Sequence, residues 1–326
     1  MVSNVASLTV LSLLAANVAS AAVVTYTADA NTLHLWHMDE TAAPVADSGT
    51  SPLNLGVLAN GATLGNGSYT GFGFGLSTLD SGLNGAPASL DAYLAATTLV
   101  AGTGDNTTMT YAGANGAFTF EAIIRLDVDL TQTFVGSTRG TAPMQIFSGE
   151  QDVNSGRTWQ FRIDPVGFNP NADGVTTALT TPALEFINVN NAVAPVQNRI
   201  VLLPTVGANA VAPGAYYHVA VSYNGAEGTA GNLSIYWTRV EDSRIQADLL
   251  VSRQLDTDLP AGPPDFAIGN TGRTTPNNNF LGLIDEVRIS GVARGANDFI
   301  FRPVPEPSAG LFALAGAALL RRRRRS

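Results

Sequence analysis

Apolar and polar residues alternate with a period of two through much of the chain. Phe118, Phe120, Ala122, Ile124 and Leu126 are interleaved with Thr119, Glu121 and Arg125. Trp159, Phe161 and Ile163 are interleaved with Thr158, Gln160, Arg162 and Asp164, and Tyr217, Val219, Val221 and Tyr223 repeat the pattern, as do Leu233, Ile235 and Trp237. Strict alternation predicts strands with one face buried and the other wet. Clusters of Gly, Asn, Pro, Asp and Thr separate them, which are the residues that turns require. Ser89 to Leu99 is the nearest thing to an amphipathic helix, and no segment carries a convincing one of 12 or more residues. The pattern predicts an all-β chain folded as an antiparallel β-sandwich of the jelly-roll kind. Gly61 to Gly85 reads as Gly-rich loop or weak strand. The stretches Gly136 to Thr158 and Asn188 to Pro213 read as long insertions.

The two ends break the pattern. Val5 to Val18 is small and apolar, and Ala19-Ser20-Ala21 forms an A-x-A site ahead of Ala22, so residues 1–21 read as a signal peptide without a basic n-region. At the other end Pro305, Glu306 and Pro307 precede an apolar run, Ala309 to Leu320. Arg321, Arg322, Arg323, Arg324 and Arg325 follow it. As a helix the run spans about 18 Å at ~1.5 Å per residue, short of a hydrocarbon core of ~30 Å. Snorkelling arginines extend that reach, and the positive-inside rule keeps them cytoplasmic with everything upstream exported. Residues 304–326 resemble the PEP-CTERM tail of Gram-negative bacteria. That resemblance implies a sorting motif read by an exosortase and a hydrophobic sorting helix held in the inner membrane until processing, followed by a place at the cell surface or in the extracellular matrix. The expected organisation is signal peptide 1–21, sandwich 22–303 and sorting tail 304–326.

Composition narrows the partners. Without its two ends the body carries 12 basic and 25 acidic side chains, and every basic one is Arg. Such a body disfavours nucleic acid and anionic membrane, and suits divalent cations or neutral polysaccharide. The chain has no cysteine, which excludes disulfides and thiol chemistry.

Two segments carry a family resemblance for the body. LHLWHMDETAAPVADSG, Leu33 to Gly49, looks like the opening strand of LamG-like, concanavalin A-like domains. GLIDEVRISGVARGANDF, Gly282 to Phe299, looks like their closing strand, while FTFEAIIRLD and YYHVAVSYNG fit inner strands. The resemblance spans residues 30–300 and implies a LamG-like sandwich.

Within the closing strand Asp285 shares parity with Leu281, Leu283, Val287 and Ile289, so without a bulge its carboxylate faces the core and needs a partner. Backbone N–H groups, an Arg or a Ca²⁺ ion would each serve. By resemblance Asp47 is the candidate second Ca²⁺ ligand. Family-16 glycosidases share the concanavalin A-like fold and need two carboxyls on one strand face about 5–5.5 Å apart. Glu121 has Ile123 and Arg125 where the second carboxyl should stand, and Asp127 and Asp129 read as turn aspartates. Residues 152–159 approach a sialidase Asp-box and read as one Gly-containing turn. His34 and His37 are three apart on a strand and face opposite ways, and His218 reads as a surface histidine. No catalytic residue is assigned. The expected function is a non-enzymatic, exported protein that binds carbohydrate or another extracellular polymer, with Trp36, Tyr216 and Tyr236 as candidate exposed ligand-binding aromatics. A purely adhesive module contacting surface proteins and a glycoside hydrolase are the alternatives.

Overall fold

The alternating segments become strands in the structure, a computed structural model that describes residues 20–78, 91–99, 109–132, 141–150, 158–189, 197–241, 243–260, 265–273 and 278–304. The strands in chain order are β1 (Ser20–Val23), β2 (Thr32–Trp36), β3 (Val57–Ala59), β4 (Thr63–Gly67), β5 (Phe74–Ser77) and β6 (Tyr93–Ala95). There follow β7 (Phe118–Leu126), β8 (Met144–Glu150), β9 (Trp159–Asp164), β10 (Ala183–Asn188), β11 (Gln197–Leu202) and β12 (Tyr216–Tyr223). The chain closes with β13 (Leu233–Arg239), β14 (Leu249–Arg253), β15 (Asp265–Ile268), β16 (Gly282–Ser290) and β17 (Phe301–Val304). Among the described residues the one helical element is a 3₁₀ turn, Ala114–Gly116.

Two antiparallel sheets make the sandwich. One runs β11-β10-β9-β8-β15-β6-β3, and the other β14-β13-β12-β7-β16-β5-β4 with β2 added beside β16. Their facing sides form one core. Phe118, Phe120, Val219, Val221, Ile235 and Trp237 enter it from the second sheet, and Phe147, Trp159, Phe161, Phe186 and Phe266 from the first. Phe120 and Trp159 meet across the gap with ring centroids 4.3 Å apart. Phe118, Phe120, Trp159, Phe161, Val219, Val221, Ile235 and Trp237 are residues that the two-residue period marked as core; Phe147, Phe186 and Phe266 join them. The stretches expected to be insertions each contain a strand, β8 in one and β11 in the other, and Tyr93–Ala95 is strand where a helix was the nearest alternative.

The second sheet departs from the wet-face expectation. Its outer side is covered by a third layer, in which Tyr26, Phe299, Ile300 and Phe301 pack on Leu35, Ile123, Ala220 and Tyr236. The chain ends of the described body build this layer, and β1 pairs with β17 beside it, Val23 opposite Phe301. The strand β1 begins at Ser20, two residues inside the expected signal peptide. The rest of that segment, and the sorting motif with its helix (Pro305 to Arg325), lie outside the described residues.

The closing strand contains the bulge that the parity argument left open. On β16, Glu286 and Val287 together oppose the single residue Ala122 of β7, because Asp285 pairs with Ile123 and Arg288 with Glu121. Glu286 takes a left-handed backbone conformation, φ 48°. The extra residue shifts the side chains. Ile284, Val287 and Ile289 face the core, whereas Asp285 stands on the outer side with Ile123. The expectation of a core-facing Asp285 is therefore corrected.

Candidate functional site

Under the third layer lies a buried polar cluster. Glu121 on β7 accepts hydrogen bonds from Arg288 Nε at 2.7 Å, from His218 Nε2 at 3.2 Å and from the Tyr26 hydroxyl. Arg288 also stacks its guanidinium 3.9 Å from the centroid of the Tyr26 ring, and Phe299 covers His218 at 4.6 Å. Register explains the meeting. Glu121 and Arg288 are directly cross-strand, and His218 is one step along β12, opposite Ile123. Burial works to raise the Glu121 carboxyl, but Arg288 and His218 overcome it and hold the pKa at about 2. Burial also lowers His218 below its ordinary value, so the imidazole stays neutral. His218 has the outward parity expected of it, yet it is fully buried, because the layer above covers that face.

Beside this cluster the third layer leaves a cleft of about 720 Å³. Its lining combines carboxylates (Asp29, Asp298), amides (Gln246, Asn297) and guanidinium groups (Arg288, Arg294), with Phe301 and Ile245 as apolar parts. Ile245 is 54% exposed, unusual for an isoleucine. Arg294 fixes one wall. Its Nη2 donates to Asp29 at 2.8 Å, its Nε to Ser290 Oγ at 2.7 Å, and its backbone N–H to Thr119 Oγ1. The bond from Arg294, with further donors from Thr32 and the Asn31 backbone, holds the Asp29 carboxyl well below the usual carboxylate range. The cleft is therefore two-sided in hydrogen bonding, with donors from arginine and acceptors from aspartate.

No family model matches the chain, and no curated protein does. Several solved structures are similar in fold. A protein from Bacteroides ovatus described as carbohydrate-binding is 22% identical over 58% of this chain and 42% of its own, with a TM-score of 0.35. The binding domain of botulinum neurotoxin serotype D is 13% identical over 82% of this chain and 49% of its own, at 0.45. The CBM40 domain of a Ruminococcus gnavus sialidase, solved with α2,3 sialyllactose, is 12% identical over 56% and 80%, at 0.37. This chain spans less than half the length of the first two. At these identities the likeness concerns fold.

The residues nominated from sequence fall in different places. Trp36 lies in the main core, its Nε1 donating to the Leu53 carbonyl and its ring stacked on Phe266, so it is no exposed aromatic. The apolar Leu35 misled the parity, since it faces outward under Tyr26 and the third layer. Tyr236 does face outward but is buried beneath Phe299, 5.1 Å away. Tyr216 remains half-buried, its hydroxyl taking a bond from Arg125 and its ring edge-on to Tyr69. The structure brings none of the three into the cleft. What marks the cleft, the spacing of Arg288 inside the "IDEVRI" core and Arg294 after it, is visible in sequence but carries no motif.

Asp47 and Asp285 are both engaged by protein donors. Asp47 accepts from the backbone N–H groups of Leu35, Gly49 and Leu53 and faces His34 Nδ1 at 2.6 Å. Asp285 accepts from Ser68 Oγ and from the N–H of Glu286. Burial, with the Glu286 carboxylate alongside, pushes the Asp285 carboxyl well above its ordinary value. The two aspartates share no partner. Among the described residues no group of three or more His, Cys, Asp or Glu side chains is placed to hold a metal ion, so the pair does not fit a shared Ca²⁺ cage. Asp47 instead ties the opening loop to β2, and the adjacent glycine is part of the device. A Cβ on Gly49 would collide with the Leu33 carbonyl oxygen, which as backbone has no room to yield. Gly49→Ala is expected to cost about 1–3 kcal/mol, read as a drop of several degrees in the thermal midpoint. An unchanged midpoint would show the loop to be unimportant for β2.

The outer side of the first sheet carries a second charged group. Arg162 on β9 lies between Glu185 of β10 and Gln145 of β8 in register. Its Nη2 is 2.5 Å from Glu185 Oε2, and its Nε is 3.0 Å from Asp164 Oδ1. Burial pushes the Asp164 carboxyl up and the Glu185 carboxyl well up, against the pull of Arg162. Sequence alternation placed Arg162 and Asp164 on a wet face, yet both are buried, as are Glu185 and Gln145.

Proposed function

We propose that the chain is an exported, non-enzymatic surface or matrix protein that binds extracellular polysaccharide in the cleft between the second sheet and its terminal layer. The observation that carries this reading is the cleft itself. A volume of about 720 Å³ accommodates one or two sugar rings. A sugar hydroxyl both donates and accepts, and arginine and amide N–H groups beside aspartate and amide oxygens meet it on both counts. Exposed Ile245 offers an apolar patch for the C–H face of a ring. Arg294 keeps Asp29 ionised, so Asp29 would not serve as the proton donor of a hydrolase. Export, exosortase sorting and a transient hold on the inner membrane rest on the residue pattern of 1–21 and 304–326.

The test is a panel of defined oligosaccharides and matrix polysaccharide against the purified protein, by calorimetry and pull-down. Gln246→Ala and Asn297→Ala, both exposed, are expected to weaken binding about tenfold, the loss of one or two hydrogen bonds at ~1 kcal/mol each. No reducing ends should be released. Retention of no saccharide by the wild type, or undiminished binding in both variants, would remove the cleft as the site.

A further inference from the structure

We infer that the saccharide bound in this cleft carries a carboxylate, so that its substrate class is an acidic sugar such as a uronic acid; the inference rests on the cleft being the saccharide site. The reason lies in the hydrogen bonds the two arginines leave unmade. Arg288 uses Nε on Glu121 and Nη2 on the Asp298 carbonyl. Arg294 uses Nε on Ser290, and Nη2 on Asp29 and Thr32. Among the described residues neither Nη1 has a hydrogen-bond partner, although the two side chains are only 3% and 9% exposed and both line the cleft. The rest of each guanidinium is fixed, so its orientation is set before any ligand arrives.

Beside them, one oxygen of each carboxylate is held by the protein. Asp29 Oδ1 takes bonds from Asn31, Thr32 and Arg294, and Asp298 Oδ2 from the N–H of Gly295. The two Nη1 groups are donors only, so what they call for is an acceptor. An ionised carboxylate is acceptor-only and forms shorter, stronger bonds to guanidinium than a hydroxyl does. The acidic body opposes an acidic polymer at long range, but that repulsion is largely screened beyond a Debye length of about 8 Å at physiological salt. The contact between fixed Nη1 groups and a seated carboxylate is far shorter than that.

The experiment compares one oligosaccharide in two forms, an oligoglucuronate and the same oligomer with its carboxylates reduced to primary alcohols, titrated into the full-length protein. The acidic form should bind at least tenfold more tightly, and Arg294→Gln should bring the two forms within threefold of each other. Because Arg294 also anchors Asp29, the variant's thermal midpoint is measured alongside; the wild-type comparison decides the matter if the variant does not fold. Equal affinity of the two forms for the wild type overturns the acidic-sugar inference and leaves the saccharide reading in place. Binding of neither form, nor of any neutral oligomer on the panel, removes the saccharide reading itself.

Discussion

Glu121→Ala is expected to destabilise the protein by about 4 kcal/mol, within the 3–5 kcal/mol seen when one partner of a buried ion pair is removed. Arg288 would keep its charge with its carboxylate partner gone, and the Tyr26 hydroxyl and His218 Nε2 would lose their shared acceptor. For a chain of this size the thermal midpoint should fall on the order of 10 °C. The loss should be felt first in the third layer, since Tyr26 is how the N-terminal segment reaches the sheet. Proteolysis near residues 24–30 is therefore expected to accelerate before the core of the sandwich opens. The pH dependence gives a second signature. Glu121 titrates at about 2 in the fold, below its ordinary value, so its contribution is present above roughly pH 4.3 and is lost as pH falls towards 2. Wild type should lose stability over that window, and Glu121→Ala should lack this part of the acid limb. A midpoint within two degrees of wild type would mean that the cluster is not a structural tie.

Arg162→Leu is the other large expected effect, and its pH dependence tests a different balance. Removing the guanidinium leaves Asp164 and Glu185 facing each other with no counter-charge beside them. The expected loss is about 3–5 kcal/mol near pH 8. Both carboxyls already sit above their ordinary values because of burial, and without Arg162 they should rise further. A carboxyl raised in the fold contributes stability that is complete below its unfolded value of about 4 and is lost as pH climbs through the folded value. The penalty of Arg162→Leu should therefore be small near pH 4 and grow steadily towards pH 8. Adding Glu185→Gln should recover part of it at the alkaline end. A penalty that is flat with pH would show that Arg162 acts through packing on Phe168, over whose ring it lies, and not through charge.

The core was legible because alternation is a local property. Phe118 to Leu126, Trp159 to Ile163, Tyr217 to Tyr223 and Leu233 to Trp237 declare their buried faces within a few residues. Any antiparallel sandwich that buries those faces satisfies them, so the fold class and the positions of β7, β9, β12 and β13 follow from the pattern alone. Composition likewise removed thiol chemistry and made nucleic acid a poor partner.

What covers the other faces was not legible. Trp36, Tyr236 and His218 were read as outward or exposed; Tyr236 and His218 do face outward and are buried all the same, while Trp36 turns into the core. The covering residues, Tyr26 and Phe299 to Phe301, stand at opposite ends of the body, and no local window contains both. The bulge at Glu286 moved Asp285 off the core face, a one-residue slip in pairing that the sequence of a single strand does not specify. Arg162 and Asp164 of the first sheet show the same limit, since their alternation is that of a wet face and yet they are buried.

Sequence by itself determined the two-layer all-β body, its core residues and the acidic, thiol-free character that limits its partners, because those depend on composition and on neighbours two residues apart. Tertiary structure alone decided that the two ends of the described body form a third layer, that Glu121, His218, Arg288 and Tyr26 meet beneath it, and that Arg288 and Arg294 line a cleft. These depend on which distant segments pair and in what register, and that is settled by the packing of the whole chain.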